Sequence, residues 1–423
     1  MNKITEKLKL VFGDATLRKR MFFVLGAFAV FRLLATIPIP GIDPARLQSY
    51  LANNQFLGLL NIFSGGGLST LSIVMLGVGP YITGSIIMQL LTIMSPRLKA
   101  MYQEEGEAGR MKFAQYSRLI TVPLALVQSF GFLTLLERQG VIDPLSMFQL
   151  ITNLIVITAG SMLLMWVGEL INEFGIGNGV SLIIFAGILA RLPATTGQLA
   201  FAFDPTQIPV YLAFLVAALI IIFAVVIVTE AERPIPVTYA KRVRGNKVYG
   251  GVSTYLPLRL NQAGVIPIVF ALSILLFPQL IFNFLVGSSN SIIAAISRWG
   301  LSVLTNNWLY AVIYFVFVFL FTFFYTAITF DPDQISTNLQ KNGAFVPGVR
   351  PGQSTSDYLA KVITRLTVFG ALFLGLIAVL PLIMRAVTGI TSLAIGGTAL
   401  LIIVQVVVDL IKRIDAQVSI REY

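Results

Sequence analysis

The chain has 423 residues, 56% of them hydrophobic and only 12% charged, with a formal net charge of +11 and a mean hydropathy of +0.85. Soluble domains run near a quarter charged and under half apolar, so most of this surface must meet lipid rather than water. Cysteine and histidine are absent, which excludes disulfides, thiolate or imidazole metal sites, H-E-x-x-H proteases and Ser-His dyads, and no G-x-x-x-x-G-K-[ST] run provides an ATPase.

Ten apolar runs approach the roughly 20 residues that a helix needs to cross hydrocarbon. They are 21–38, 72–94, 118–136, 150–171, 180–192, 209–229, 263–286, 308–329, 366–384 and 393–411. The fifth is short and should extend into its polar flanks. Unpaired backbone cannot survive in lipid, so the fold class is an all-α integral membrane protein. The first run lacks an A-x-A-like site and runs into Pro38-Ile39-Pro40-Gly41, which is not the pattern of a cleavable signal. Arg32 lies within it, twelve residues beyond Arg20 and roughly 18 Å along a helix, where its head can snorkel to the far interface.

Between the first two runs, Phe56–Thr70 centres on Asn61-Ile62-Phe63-Ser64-Gly65-Gly66-Gly67. It is too short and glycine-rich to span. Irregular backbone cannot face lipid, so the segment is re-entrant and protein-covered or it stays at the outer surface. The residues alone leave an external loop and a movable element in a pore mouth both open. The second run then carries Gly77-Val78-Gly79-Pro80, and the seventh repeats the pattern as Gly264-Val265-Ile266-Pro267. Each is the second of five runs, so the chain reads as two related halves, 1–200 and 206–423. Matching Gly/Pro-interrupted spans in two halves point to a pathway between inverted repeats.

Acids within the runs are few. Glu169 and Asp409 lie near inner ends, where structural pairing is expected. No carboxylate pair stands at mid-membrane, which counts against proton-coupled transport. Two long connections follow. The first, about 230–262, has alternating Ile, Val and Tyr around Arg244-Gly245-Asn246, the pattern of a β-hairpin with a basic turn. The second, about 330–365, contains Lys341-Asn342-Gly343-Ala344-Phe345-Val346-Pro347-Gly348-Val349-Arg350, a stiff exposed loop with one arginine at its tip. Of the 30 Lys and Arg residues, 24 fall on the side of the N-terminus and of these loops and 5 on the other. Both termini are therefore expected in the cytoplasm. The basic turns suit an acidic protein or RNA phosphate.

Six stretches taken together closely resemble the SecY family, the central subunits of the protein-conducting channel, and the bacterial branch above the others. They are Ile37-Pro38-Ile39-Pro40-Gly41, Asn61 to Gly66, Pro80-Tyr81-Ile82 through Gln89-Leu90-Leu91, Gly175-Ile176-Gly177-Asn178-Gly179, Tyr239-Ala240-Lys241-Arg242 and Gly343-Ala344-Phe345-Val346-Pro347-Gly348. The resemblance implies ten transmembrane helices in two pseudo-symmetric inverted halves of five, with a re-entrant plug that includes Asn61, Phe63, Ser64, Gly65, Gly66 and Gly67. It implies an aliphatic pore ring of Val78, Ile82, Val180, Ile184, Val269 and Ile402. Ile86, Gln89, Asn178, Ser273 and Phe277 match a lateral gate, and Arg242, Lys247 and Arg350 match a docking surface. A branched aliphatic ring closes by dewetting and offers an ion no site. The implied partners are small SecE-like and SecG-like membrane subunits, the SecA motor, the ribosome, polypeptides bearing signal sequences, and membrane lipid. The implied location is the bacterial plasma membrane. No cofactor, metal or catalytic residue is implied, and the chain is not expected to be an enzyme. The implied function is passage of unfolded polypeptide with lateral release of apolar segments; a secondary transporter of a small solute is the alternative. Pro234 stands where members often carry another Arg, and Gly84 where they carry Ala or Ser.

Overall fold

The computed structural model describes residues 13–40, 61, 64, 66–201, 208–240, 242–244, 247–249, 253–288, 290–388 and 396–419. Phe63, Gly65 and the Gly245-Asn246 turn lie outside these described residues. In chain order the helices are α1 (Ala15–Thr36), α2 (Gly79–Met94), α3 (Pro96–Gln103), α4 (Gly106–Arg138), α5 (Met147–Phe174), α6 (Gly179–Phe201) and α7 (Ile208–Glu230). Strands β1 (Glu232–Tyr239), β2 (Arg242–Arg244), β3 (Lys247–Tyr249) and β4 (Ser253–Arg259) follow. Then come α8 (Ile266–Leu285), α9 (Ser291–Thr305), α10 (Asn307–Thr329), α11 (Pro332–Lys341), β5 (Ala344–Phe345), α12 (Gln353–Thr388) and α13 (Gly396–Ser419).

Each expected apolar run coincides with a helix, and six of the described helices are by length and composition alone able to cross a membrane. The second run differs at its start. Its helix begins at Gly79 rather than at 72, because Gly77 takes φ +58° and the residues before it are committed elsewhere. Ile39 N donates to Leu71 O and Ile73 N to Ile37 O at 2.8 and 3.0 Å, which ties Ser72 to Pro38 as an antiparallel bridge. The fifth run extends as expected, through Pro193 to Phe201.

Most described helices share one continuous apolar core. Where backbones approach closely, glycine is required. A Cβ on Gly179 would fall within the carbonyl oxygen of Gly168 in α5, and one on Gly160 within that of Ile73. Gly84 is a milder case: its Cβ would stand 3.1 Å from Ser117 O and from Thr121 Oγ1 on α4, a tight approach that a small side chain meets only if α4 gives by a few tenths of an ångström.

The two long connections build one body. The central strand β1 pairs antiparallel with β4 from Glu232↔Arg259 to Thr238↔Ser253, and on its other edge with β5 only at Thr238↔Phe345 and Tyr239↔Ala344. Pro234 and Pro236, which lack N–H groups, thus lie beyond the reach of β5. Alternation along β1 buries Ile235 and Val237, and Ile235 packs with Leu258, Val346, Leu359, Val362 and Ile363. The expected hairpin is present as β2–β3, with Arg244 opposite Lys247. Its larger frame, β1–β4, and the short helix α11 were not in the sequence reading.

Candidate functional site

The repeated tetrapeptide folds the same way twice. Gly77 and Gly264 take φ +58° and +62°, conformations that cost glycine little. Val78 and Val265 then cap the helices at φ −89°, ψ 6° and φ −90°, ψ −5°. Pro80 and Pro267 follow in the first turn, where a missing N–H costs no hydrogen bond. Asn261 holds the second copy: its Oδ1 accepts from Gly264 N at 3.0 Å. Helices α2 and α8 therefore leave matched turns and meet along one seam.

That seam encloses a cavity of about 40 Å³. Leu76, Val78, Gly79, Ile82 and Thr83 line it from the α2 side, Val269, Leu272, Ser273 and Leu276 from α8, and Gln128 from α4. A second cavity, of about 260 Å³, opens one helical turn earlier along α8. Val265 lines this cavity and Val269 the other, a step of roughly 6 Å. Its walls are polar: Asn178, Ser181, Arg259, Asn261, Gln262, Tyr325, Gln405, Asp409 and Arg413 take part. A larger polar space and a smaller, mainly aliphatic one thus lie one helical turn apart along α8.

The described residues of the 61–78 segment are mostly buried. Asn61, Ser64, Leu68 and Leu71 are buried. Asn61 O accepts from Gly66 N at 2.8 Å, Asn61 Oδ1 from Ser69 N at 3.0 Å, and Ser64 Oγ from Leu68 N at 3.2 Å. Thr70 Oγ1 donates to Ala35 O of α1 at 2.9 Å. Gly66 takes φ +87°, and a Cβ on Gly67 would stand 2.8 Å from Ser72 Oγ.

The C-terminal end of α8 is held by an arginine of α4. The last four carbonyls of a helix lack partners within it. In α8, Phe282 O accepts from Val286 N and Leu285 O from Ser288 N, each at 2.9 Å. The two between them, Asn283 O and Phe284 O, accept from Arg138 Nη1 of α4 at 3.0 and 2.8 Å. The guanidinium also lies 5.5 Å from the centroid of the Phe284 ring. Packing of Gly131 against Leu280 and of Phe130 against Phe284 continues the α4–α8 contact inward.

Of the six ring residues, Val78, Ile82 and Val269 line the small cavity. Ile184 and Ile402 are buried in the same core, and Val180 is partly buried against it, near Gly168 of α5. Among the gate residues, Ser273 lines the cavity, Ile86 is buried, Phe277 is partly buried on α8, and Gln89 Nε2 donates to Ser85 Oγ at 3.4 Å. Asn178 Oδ1 accepts from Ser181 N at 3.1 Å as the cap of α6, and Asn178 lines the polar cavity. Arg350 is exposed, with its carbonyl accepting from Thr355 Oγ1 at 2.8 Å. Arg242 and Lys247 occupy the β2–β3 ribbon. The expected acid pairings are present: Glu169 with Arg118 at 2.5 Å and Asp409 with Arg413 at 2.8 Å. Sequence reading missed Gln128 and Arg138. The signal for the first was one amide inside an apolar run; nothing local marked the second.

A family model for SecY matches residues 72–411. The chain belongs to the SecY family. It is 41% identical to the protein translocase subunit SecY of Corynebacterium glutamicum, covering 97% of each chain. It is 42% identical to that of Mycobacterium tuberculosis, covering 96% of each, and 42% identical to that of Vibrio cholerae, covering 97% of this chain and 94% of the relative. Solved structures share the fold. A protein-conducting channel matches with a TM-score of 0.64 at 18% identity, covering 96% of this chain and 93% of that one. Canine Sec61 from a ribosome–channel complex matches with a TM-score of 0.60 at 17% identity and the same coverage.

Proposed function

We propose that this SecY-family chain is the channel subunit through which unfolded secretory polypeptides cross the membrane, and that apolar segments leave it sideways between α2 and α8. Membership of the family makes it a channel subunit rather than an enzyme. The observation that carries the reading is a polar cavity lying one turn along α8 from a mainly aliphatic one, where the two repeated Gly-Val-x-Pro turns start their helices. Polar walls hydrate an incoming chain. Aliphatic walls yield to any side chain by dispersion and give ions no coordination. Val78, Ile82, Val180, Ile184, Val269 and Ile402 form the constriction in this account. The residues around Asn61–Thr70 plug its outer side, and residues 1–200 and 206–423 act as the two jaws.

The β1–β4–β5 body with its β2–β3 ribbon is the docking platform on the cytoplasmic side. The family likeness to Sec61 in a ribosome–channel complex supports the ribosome as a partner. A SecA-type motor and small SecE-like and SecG-like subunits complete the assembly, in the bacterial plasma membrane with both termini cytoplasmic. Because the chain has no cysteine, the test is direct. Cysteines placed at Ile82 and Ile402 should crosslink to a stalled translocating precursor, while cysteines at the exposed Leu219 and Leu320 should not. If neither ring position touches the precursor, the assignment is wrong.

A further inference from the structure

Helix α9 is apolar on the wrong side for a helix in water. The stripe it buries is small: Ala294, Ser297 and Gly300. Gly300 lies so close to Phe282 of α8 that an added Cβ would stand 2.5 Å from the ring. Three large residues point away, while Leu304 packs against the main core. Ile292 is 68% exposed, Ile296 56% and Trp299 69%. They stand at i, i+4 and i+7, on one face. Leaving such side chains in water forgoes the stabilisation that burial of apolar surface brings.

The helix has a third sector. Ser291, Arg298, Ser302 and Thr305 are also exposed. At about 100° per residue they centre roughly 110° round from the buried stripe and roughly 120° round from Ile292, Ile296 and Trp299. One sector therefore meets protein, one suits hydrocarbon and one suits water. Only a boundary between lipid and water offers all three environments to a single helix. The neighbours agree. Trp308, at the start of α10, is 63% exposed, and Val312 and Val316 continue its outward face at 60% and 46%. That helix is apolar and long enough to cross a membrane, so its exposed face suits lipid. Tryptophans gather where such faces reach the headgroups.

We infer that α9 is an interfacial helix seated on the bilayer surface at the outer end of α8, with Ile292, Ile296 and Trp299 dipped into the acyl boundary and Arg298 at the level of the headgroups. Only the word "outer" rests on the topology proposed above; the lipid contact stands on α9 itself. Through Gly300 against Phe282, the helix sets the depth of α8 in the membrane.

The chain has three tryptophans, so Trp166→Phe with Trp308→Phe leaves Trp299 as the only one. The full chain would be placed in vesicles of phosphatidylcholine and phosphatidylglycerol, with the phosphatidylcholine brominated at a shallow or a deep chain position. Trp299 should lose roughly half or more of its emission to shallow bromines, less to deep ones, and little to aqueous iodide. Quenching by iodide but not by bromolipid would put the face in water. Quenching by neither would mean that protein covers it, and stronger quenching by deep bromines would put it inside the membrane. Each of these results overturns the inference. A spin label on Ile296→Cys, in the otherwise cysteine-free chain, gives the same reading without touching tryptophan: oxygen accessibility should exceed that of an aqueous nickel chelate, and the reverse order refutes the placement.

Discussion

Replacing Arg138 by alanine should loosen the α4–α8 contact at the end of the seam. The side chain is exposed, so its contribution is that of a solvated contact. An arginine at a helix C-terminus contributes roughly 0.3–1 kcal/mol when exposed, and a cation over an exposed ring roughly 0.5–1 kcal/mol more. Water can take over Asn283 O and Phe284 O once the guanidinium is gone, so no buried-orphan penalty is added. The sum is about 1–2 kcal/mol, which shifts a closed-to-open equilibrium by roughly 5–30-fold. If Arg138 resists separation of α4 from α8, Arg138→Ala should raise resting ion conductance in planar bilayers. It should also restore export of precursors with weakened signal sequences, because less binding energy is then needed to open the channel. Arg138→Lys keeps the charge without the planar fork and should fall between. A folded, inserted Arg138→Ala protein with the parent's leak and the parent's signal stringency would refute the reasoning.

Three other outcomes are expected. Ile402 is 1% exposed, so Ile402→Asn buries an amide at a cost on the order of 1–3 kcal/mol in the closed state; ion leak should rise, whereas Ile402→Leu should stay near the parent. Deleting Asn61–Thr70 removes the buried cluster around Asn61 and Ser64 but leaves the Ile39–Leu71 and Ile73–Ile37 hydrogen bonds, so the channel should insert normally and flicker open to ions; a quiet bilayer recording would reduce the segment to packing. Arg350→Glu changes only an exposed side chain on a loop held through its backbone, so thermal stability should move little while motor-driven transport falls; normal transport would remove Arg350 from the docking surface.

How far the sequence could be read depends on how local each cause is. The matched starts of α2 and α8 were legible because Gly, Val and Pro act within one turn, and the structure reproduces the same dihedrals at both copies. The apolar runs were legible because lipid imposes length and composition together. The start of α2 was not, because it is set by pairing of Ser72 with Pro38, thirty-four residues away. Helix α9 escaped notice because its 15 residues are too few for a span and its polar sector interrupts the apolar run. The cap that Asn178 makes on α6, beside the polar cavity, is local and was legible in its position just before the run at 180. Arg138 was counted only as a charge on the far side of the membrane. Its role comes from two carbonyls on another helix, and no sequence pattern encodes that meeting.

The central claim is that the chain conducts polypeptide across the membrane, and one reconstitution tests it most directly. The full chain, purified with whatever small subunits accompany it, would be placed in vesicles and supplied with a secretory precursor, the motor ATPase and ATP, with small-solute exchange measured in parallel. The account predicts protease-protected precursor only when motor and ATP are present, and no solute exchange by the resting protein. Saturable solute exchange by the chain alone, with no protected precursor under any condition, would contradict it.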